Sequence, residues 1–211
     1  MFVLVNKPTW CTSFDVVKKL KRLYRWEKIW HAGTLDPLAT WLLIIAIGKD
    51  TKKLSTFVGL DKTYTATINF ALKSDTRDTD YWEYYEELDV NTLQVPTQTA
   101  IEDTLASIVW YHALPLTPFS AKKRKGKKLY EYARAGEPIF INIDMQVLSF
   151  RVVSYTFPEL ILEIRVWSWT YIRSIAHWLW EQFGLGWILT ALHRSHVWSY
   201  TLDTNEKTTQ T

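Results

Sequence analysis

The stretch KIWHAGTLDPLATW, residues 28–41, contains the local features that decide how the surrounding chain folds. Gly33 and Pro37 bracket a loop, because both residues interrupt regular structure. A carboxylate held on such a loop, here Asp36, can serve as a nucleophile or as a base. Aspartate before proline also commonly starts a simple turn. From spacing alone the turn is the favoured interpretation, and the chemical role stays open.

The segments around this loop predict both strands and a helix. Residues 41–47 are an apolar run of buried-strand length. Upstream, Thr12 or Ser13 can cap a helix that ends near Tyr24. Residues 64–70 alternate between Tyr, Ala, Ile and Phe on one side and Thr or Asn on the other, which predicts a half-buried strand.

Further elements follow from the same local patterns. The pattern predicts strands over residues 3–5, 139–153 and 160–166 and a short helix after Asp50. It predicts further helices over residues 99–108, 127–135, 172–183 and 188–193. Thr99 and Glu102 form a capping-box pattern for the first of these, and Gly136 closes the second. Strands and helices are mixed without a strict strand–helix–strand alternation. The sequence therefore predicts an α+β fold with a mixed, largely antiparallel central sheet flanked by helices.

The composition excludes several classes of protein. The chain has 211 residues, of which 47% are hydrophobic and 22% are charged, which fits one domain, or a domain with a tail, rather than a disordered or fibrous chain. Its one cysteine, Cys11, excludes an internal disulfide framework and a cysteine-cluster metal site. No apolar run reaches the length of a membrane span, and no basic region precedes the apolar N-terminus as in a secretory signal. We therefore expect a cytoplasmic protein without a membrane association.

The positive charge is concentrated in two segments. The formal net charge is only +3. The first cluster comprises Lys18, Lys19, Lys21, Arg22, Arg25 and Lys28, and the second is the KKRKGKK segment of residues 122–128. Such clusters suit a polyanionic partner. A solvated helix face is the favoured interpretation of the first cluster, whereas the second is too dense to be dismissed as an ordinary surface loop.

Other polar and aromatic side chains have both a structural and a functional interpretation. Tyr64 could stack on a ligand or belong to the core. Arg173 could pair with a buried carboxylate such as Asp36, which would favour the ionised carboxylate, or lie on the surface. His193 and His196 make a poor metal site without a third ligand. The absence of a phosphate loop and of a dinucleotide fingerprint argues against a nucleotide-cofactor enzyme.

Taken in order, these segments resemble the TruB family of tRNA pseudouridine synthases. The resemblance is carried by KPTWCTS at residues 7–13, by residues 28–41, by DKTY at 61–64, by SAK at 120–122, by GKKLYEYAR at 126–134, by TYIR at 170–173 and by ALHR at 191–194. It extends over about residues 3–200, and motifs of this length in this order are highly specific. It implies a pseudouridine synthase fold, with a catalytic domain over residues 1–200 and a polar tail over residues 201–211.

The resemblance implies an activity that needs neither cofactor nor metal. Members of the family convert a uridine in the T-loop of tRNA, uridine 55, to pseudouridine after flipping the base out of its stack. Asp36 is expected to be the nucleophile that helps to break the bond between ribose and uracil. Arg173 is expected to hold Asp36 ionised and oriented. Tyr64 is expected to stack on the flipped base and is a candidate for proton transfer.

The resemblance also implies contacts with the RNA. Tyr171 and Leu192 are expected to line the uracil pocket, and His31 to contact the distorted T-loop. The lysines of the second basic cluster are expected to grip phosphates of the T-arm, and they include Lys122, Lys125, Lys127 and Lys128. The match after Asp36 favours the bacterial stand-alone enzyme, expected here as a monomer. The C-terminal RNA-binding domain of the PUA type that the family usually carries is not expected in this chain.

Two other functions are compatible with parts of the sequence. A non-catalytic protein that binds or folds tRNA could use the same groove. A glycoside-type hydrolase would need a second carboxylate near Asp36, and no motif supplies one.

The chain is unusually rich in tryptophan and poor in glycine, with 12 Trp and 7 Gly. Tryptophan stands where the family pattern has glycine at nine positions, namely Trp10, Trp30, Trp41, Trp110, Trp167, Trp169, Trp180, Trp187 and Trp198. Glycine at such places usually provides a positive φ or a close backbone approach. Overpacking would cost about 1–3 kcal/mol at each site. One hypothesis is that a UGA codon read as glycine has been translated as tryptophan; the alternative is a genuinely tryptophan-rich surface that stacks on unpaired bases.

Overall fold

The computed structural model describes residues 1–74, 85–186 and 188–202. Within these residues the strands are β1 (Phe2–Lys7), β2 (Ile29–Ala32), β3 (Thr40–Ile47), β4 (Lys62–Asn69), β5 (Leu72–Lys73), β6 (Glu86–Glu87), β7 (Trp110–Leu116), β8 (Lys123–Arg124), β9 (Lys127–Lys128), β10 (Ile141–Thr156), β11 (Glu159–Val166) and β12 (Ile188–Val197). The α-helices are α1 (Ser13–Leu23), α2 (Ser55–Val58), α3 (Gln98–Ala106), α4 (Leu129–Arg134) and α5 (Ile172–Phe183). Two 3₁₀ turns cover Gly48–Lys53 and Val90–Thr92.

One large sheet organises the described chain. Its hydrogen-bonded order is β1-β3-β12-β4-β11-β10-β7, and β2 pairs with the other side of β3 along part of its length. The β12–β3 pair is parallel, and the other pairs of this sheet are antiparallel. This arrangement confirms the predicted mixed, largely antiparallel sheet of an α+β fold.

The strand β3 is buried on both faces, which explains its uninterrupted apolar sequence. Leu43 and Ile45 belong to the main core, to which α1, α3 and α5 contribute. Leu42 and Ile44 belong to a second cluster that includes Phe57 of α2. The layers on both faces of β3 fix the strand that leaves the Asp36 loop.

The helix α1 forms as predicted, because its first turn is fully capped. Thr12 is the N-cap, and its side chain accepts a hydrogen bond from the Asp15 amide at 3.1 Å. The Asp15 carboxylate accepts one from the Thr12 amide at 3.2 Å. Val16, Val17 and Leu20 form the buried face. The helix therefore presents its N-terminal turn to the Asp36 loop and its basic residues to solvent.

The predicted helix over residues 188–193 is wrong. Residues Ile188–Val197 form β12, which lies between β3 and β4 in the middle of the sheet. A short apolar run does not distinguish a buried strand from a buried helix by periodicity. The predicted capping box of Thr99 and Glu102 is also wrong: Thr97 caps α3, and its side chain accepts a hydrogen bond from the Ala100 amide at 3.2 Å.

The predicted helix over residues 127–135 is shorter than expected. Lys127–Lys128 form β9, which pairs with β8 in a small hairpin, and α4 follows as Leu129–Arg134. Gly136 follows the helix with φ +80°, as its predicted closing role requires. The second basic cluster is therefore a hairpin followed by a helix.

The backbone conformation of the tryptophans is unusual. Six non-glycine residues of the described chain have positive φ, and five of them are tryptophans: Trp10 (57°), Trp41 (80°), Trp110 (82°), Trp169 (70°) and Trp198 (52°). All five belong to the nine positions named above. All but Trp41 are exposed, by 48–68%, so the expected cost from overpacking is wrong for these four. The cost at all five lies in the backbone, because a bulky residue rarely adopts this conformation.

Some sequence positions discussed above fall outside the described residues. They are Trp82, Trp187 and residues 203–211 of the polar tail. No helix in the part of the chain that the structure describes is both long and apolar enough to span a membrane.

Candidate active site

Asp36 lies in a loop between β2 and β3 that neighbouring segments hold by its backbone. The amide of Leu35 donates a hydrogen bond to the Ser13 hydroxyl at 2.9 Å, and the ammonium of Lys7 donates one to the Pro37 carbonyl at 3.1 Å. The Ala39 amide donates to the Asp36 carbonyl at 3.0 Å, so the predicted turn is present. The turn uses the backbone of Asp36 and leaves its carboxylate available.

The carboxylate of Asp36 meets Arg173 from the first turn of α5. Arg173 Nε lies 3.0 Å from Asp36 Oδ2, and Arg173 Nη2 donates to the Phe119 carbonyl at 3.2 Å. The Arg173 side chain is 6% exposed, whereas that of Asp36 is 36% exposed. A buried guanidinium fixed at two points thus orients a carboxylate that a ligand can still reach.

Tyr64 and Leu192 reach the same cleft from adjacent strands of the sheet. Tyr64 lies on β4 and Leu192 on β12, and both are largely buried. Tyr171, the residue before α5, completes the wall. Burial and the charge of Asp36 raise the pKa of the Tyr171 phenol, so it is neutral at physiological pH. The three side chains give this part of the cleft aromatic and apolar walls.

His31 lies at the end of β2 and also lines the cleft. Burial and the nearby charge of Arg194 lower its pKa to about 4, so the imidazole is neutral at pH 7. Its Nδ1 is buried and makes no hydrogen bond within the described residues. The ring of Trp30 stacks on it with centroids 5.4 Å apart. His31 can therefore donate or accept one hydrogen bond toward a ligand.

Three buried cations near the loop were not identified as site residues from the sequence. Lys7, Lys62 and Arg194 are at most 8% exposed. Burial lowers the pKa of Lys7 and of Lys62 to about 8. Lys7 and Lys62 stand in the motifs quoted above, but a lysine in a motif does not reveal that it is buried. Their burial depends on segments distant in the chain.

The lysine hairpin does not line the cleft. Ser120 and Ala121 do, and Lys122, Lys125, Lys127 and Lys128 follow them in the chain. Lys128 is half-buried beside Tyr130, and the other three are exposed. The hairpin lies next to the cleft in sequence and is accessible to a large anionic ligand.

The two histidines of β12 contact neighbouring hydroxyl groups. His193 Nδ1 lies 3.2 Å from the Thr40 hydroxyl, and His196 Nδ1 lies 3.0 Å from that of Ser195. Within the described residues no group of three or more His, Cys, Asp or Glu side chains could hold a metal ion.

The assembled cleft has a volume of about 400 Å³ and one acidic side chain, Asp36. The six expected residues that the structure brings together there are His31, Asp36, Tyr64, Tyr171, Arg173 and Leu192. No second carboxylate is found among the described residues that line the cleft, which does not fit a paired-carboxylate hydrolase. The arrangement therefore offers a ligand one accessible carboxylate, oriented by a buried guanidinium, beside aromatic and apolar walls.

Comparisons with known proteins point to one family. A family model described as TruB family pseudouridylate synthase (N terminal domain) matches residues 21–172. The chain is 35% identical over 211 residues to the tRNA pseudouridine synthase B of Chloroherpeton thalassium, covering 97% of this chain and 86% of that protein. It is 37% identical over 203 residues to the protein of the same name from Chlamydia trachomatis serovar L2, covering 95% of this chain and 82% of that protein.

Solved structures share the fold at low sequence identity. A chain of an H/ACA ribonucleoprotein bound to a substrate RNA containing 2'-deoxyuridine superposes with a TM-score of 0.70 and 18% identity over 99% of this chain. A chain of a Cbf5-Nop10-Gar1 complex gives 0.68 and 20% over 92%. This chain spans about half the length of each of those chains, 50% and 48%.

Proposed function

The chain belongs to the TruB family of pseudouridylate synthases, and from this we propose that it converts a uridine of tRNA to pseudouridine in the Asp36 cleft. The observation that carries the proposal is the contact of Asp36 with the buried Arg173 at the base of a cleft walled by Tyr64 and Leu192. The relatives named tRNA pseudouridine synthase B support tRNA as the substrate. The catalytic domain in this proposal comprises residues 1–200.

The proposed substrate position is uridine 55 in the T-loop. This base is stacked within a folded loop, so it must be extruded before Asp36 can reach its ribose. Tyr64 then compensates for part of the lost stacking. His31 is proposed to contact the T-loop from the edge of the cleft, and the exposed lysines of the hairpin to bind phosphates of the T-arm.

The chemistry balances without a co-reactant. The bond between C1′ of the ribose and N1 of uracil breaks, the base rotates, and a bond forms between C1′ and C5. The proton on C5 leaves and N1 gains a proton, so substrate and product have the same composition. Asp36 provides the nucleophile in this proposal, and Tyr64 is the candidate for moving the proton. The proposed enzyme is a cytoplasmic monomer that uses neither cofactor nor metal.

An Asp36→Asn variant tests the proposal. We expect the wild-type protein to release tritium from C5 of labelled uridine in a tRNA transcript, and primer extension after carbodiimide treatment to place the product at uridine 55. Asp36→Asn should bind the same transcript and release no tritium. Asp144→Asn, on the exposed face of β10, is the matched control and should react like the wild type.

Two results would contradict the proposal in different ways. Pseudouridine made by Asp36→Asn would remove Asp36 from the mechanism. Binding of tRNA by the wild type without any pseudouridine would instead favour a tRNA-binding or tRNA-folding protein.

A further inference from the structure

An opening lies over Gly33, at the start of the Asp36 loop. Gly33 has φ +70°, and a β-carbon there would lie 3.3 Å from Arg194 Nη1 and 4.0 Å from Lys62 Cε. A side chain at residue 33 would therefore fill the space between these two cations. The opening is part of the cleft that holds Asp36.

Neither cation is neutralised by a carboxylate of the described residues. Arg194 donates from Nε to the Leu42 carbonyl at 2.9 Å and from Nη2 to the Gly33 carbonyl at 3.2 Å, while Nη1 has no hydrogen bond there. Lys62 uses two of its three protons on the carbonyls of Val58 and Leu60. Each therefore keeps hydrogen-bonding capacity toward the cleft.

The neighbouring acids are already engaged. Asp36 pairs with Arg173, and Asp61 pairs with Arg165. Burial, and after it the charge of Arg194, lower the pKa of Lys62, while the charge of Asp61 raises it, so the ammonium lies in a poorly solvated site close to a second cation. A buried charge without a counter-ion is costly, so this part of the cleft is suited to an anion.

We propose that the opening over Gly33 is a subsite for a phosphate group of the extruded nucleotide, bound by Arg194 Nη1 and the Lys62 ammonium. The inference rests on the proposed function. Every nucleotide has a phosphate on each side of its ribose, and a guanidinium beside an ammonium provides several charge-assisted donors for one. His31, whose buried Nδ1 makes no hydrogen bond within the described residues, also lines the cleft. Such a subsite fixes the ribose while the base is free to rotate.

A double-mutant cycle between the protein and the RNA tests the subsite. The probe is a T-arm stem-loop RNA with one neutral methylphosphonate, placed either 5′ or 3′ of the target uridine. We expect one of the two placements to weaken binding to the wild type about tenfold or more. Lys62→Gln should weaken binding of unmodified RNA to a similar extent and lower the salt dependence by about one phosphate contact. The methylphosphonate at that same position should then leave the affinity of the Lys62→Gln variant almost unchanged.

Additive effects of Lys62→Gln and of both methylphosphonates would overturn the subsite. Lys52→Gln removes the same charge from an exposed position and serves as the matched control, for which additivity is expected. Because the cycle measures binding alone, it separates failure of the subsite from failure of the proposed reaction. Circular dichroism of Lys62→Gln checks that the fold is intact.

A different observation supports a second inference, which concerns the identity of the tryptophans. Ten of the twelve tryptophans lie in the described residues, and five of these ten have a positive φ. Only a few per cent of non-glycine residues adopt such a conformation, and those are mostly Asn, Asp and His. The remaining positive-φ residue that is not glycine, Lys125, stands at the tip of a hairpin. Glycine is the residue for which this backbone carries no steric cost.

The exposure of the tryptophans is equally unusual. Seven of the ten are exposed, although tryptophan is on average a highly buried residue. A surface that stacks on RNA bases would explain exposure, but it would not explain positive φ. We infer that the codon behind Trp10, Trp41, Trp110, Trp169 and Trp198 is read as glycine in the cells that make this protein.

Tandem mass spectrometry of the protein isolated from its own cells tests this inference. Trypsin releases residues 29–49 as one peptide, which contains Trp41 and Trp30. We expect glycine at residue 41. Tryptophan at residue 41 in the endogenous peptide would overturn the inference.

Discussion

The backbone at five tryptophans provides a stability experiment that does not depend on activity. Replacing Trp10, Trp41, Trp110, Trp169 and Trp198 together by glycine removes the steric conflict of a β-carbon at positive φ. We expect the quintuple variant to be more stable than the parent chain. The gain comes from the backbone, since four of the five tryptophans are 48–68% exposed; the fifth, Trp41, packs against the second core cluster, and its loss offsets part of the gain.

The size of the gain follows from two opposing terms. The left-handed conformation costs a non-glycine residue about 1–2 kcal/mol. Glycine avoids this cost but loses about 0.4–1 kcal/mol more conformational entropy on folding. The net gain is about 0.5–1 kcal/mol per site, or about 3–5 kcal/mol for the five sites. For a chain of this size, that raises Tm by about 6–20 °C.

Urea denaturation and calorimetry on three variants separate the backbone from the side chains. Alanine at the same five positions removes the indoles but keeps the β-carbon, so we expect no gain. Glycine at Trp26 and Trp167, which are exposed but do not have positive φ, should leave stability unchanged or lower it. Equal stabilities of the quintuple alanine and glycine variants would refute the backbone reasoning.

Three further substitutions have expected outcomes. Arg173→Lys keeps the charge but cannot hold both Asp36 and the Phe119 carbonyl, so the single-turnover rate constant should fall at least about tenfold while the fold persists. Ser13→Ala removes both hydrogen bonds to the Leu35 backbone and should cost about 1–3 kcal/mol in urea denaturation. Lys62→Met should be stabilised relative to wild type at pH 7, because the pKa of Lys62 is about 8 in the fold and 10.5 as a free side chain. Between pH 8 and pH 10.5 the unfolded wild type binds more protons than the folded one, so the free energy of unfolding of the wild type rises with pH. The difference in unfolding free energy between the variant and the wild type should therefore shrink by up to about 3 kcal/mol from pH 7 to pH 10.5.

Local sequence patterns predict the helices and strands that have apolar side chains on one face and polar side chains on the other. The capped helix α1, the alternating strand β4 and the amphipathic helix α5 are where the pattern placed them. The pattern over residues 188–193 predicts a helix where β12 forms, because a short apolar run is compatible with both the helical and the strand period. Its true state is set by partners far away in the chain, since β3 and β4 pair with it from opposite sides.

In the cleft, too, the sequence predicts some contacts and leaves out those that depend on the pairing of distant strands. The sequence identified Asp36 and Arg173 as possible partners, and the structure places them 3.0 Å apart. It gave no sign that Lys62 and Arg194 converge on Gly33, because that meeting requires β4 and β12 to pair in one register. The roles assigned to the cleft residues stay predictions until the variants are measured.

Three buried cations lie around the Asp36 loop, and their charges affect both the stability of the loop and the binding of an anion. Lys7, Lys62 and Arg194 place positive charge around Asp36 without a carboxylate partner of their own in the described chain, which lowers the stability of the free protein. Two of these cations also stabilise the loop, because Lys7 donates a hydrogen bond to the Pro37 carbonyl and Arg194 donates one to the Gly33 carbonyl. An anionic substrate would reduce the electrostatic repulsion between the cations. Part of the substrate's binding free energy would therefore come from the relief of a repulsion that destabilises the free enzyme. Lys62 donates its hydrogen bonds to the Val58 and Leu60 carbonyls and not to this loop. Removing its charge should therefore stabilise the protein and weaken RNA binding together.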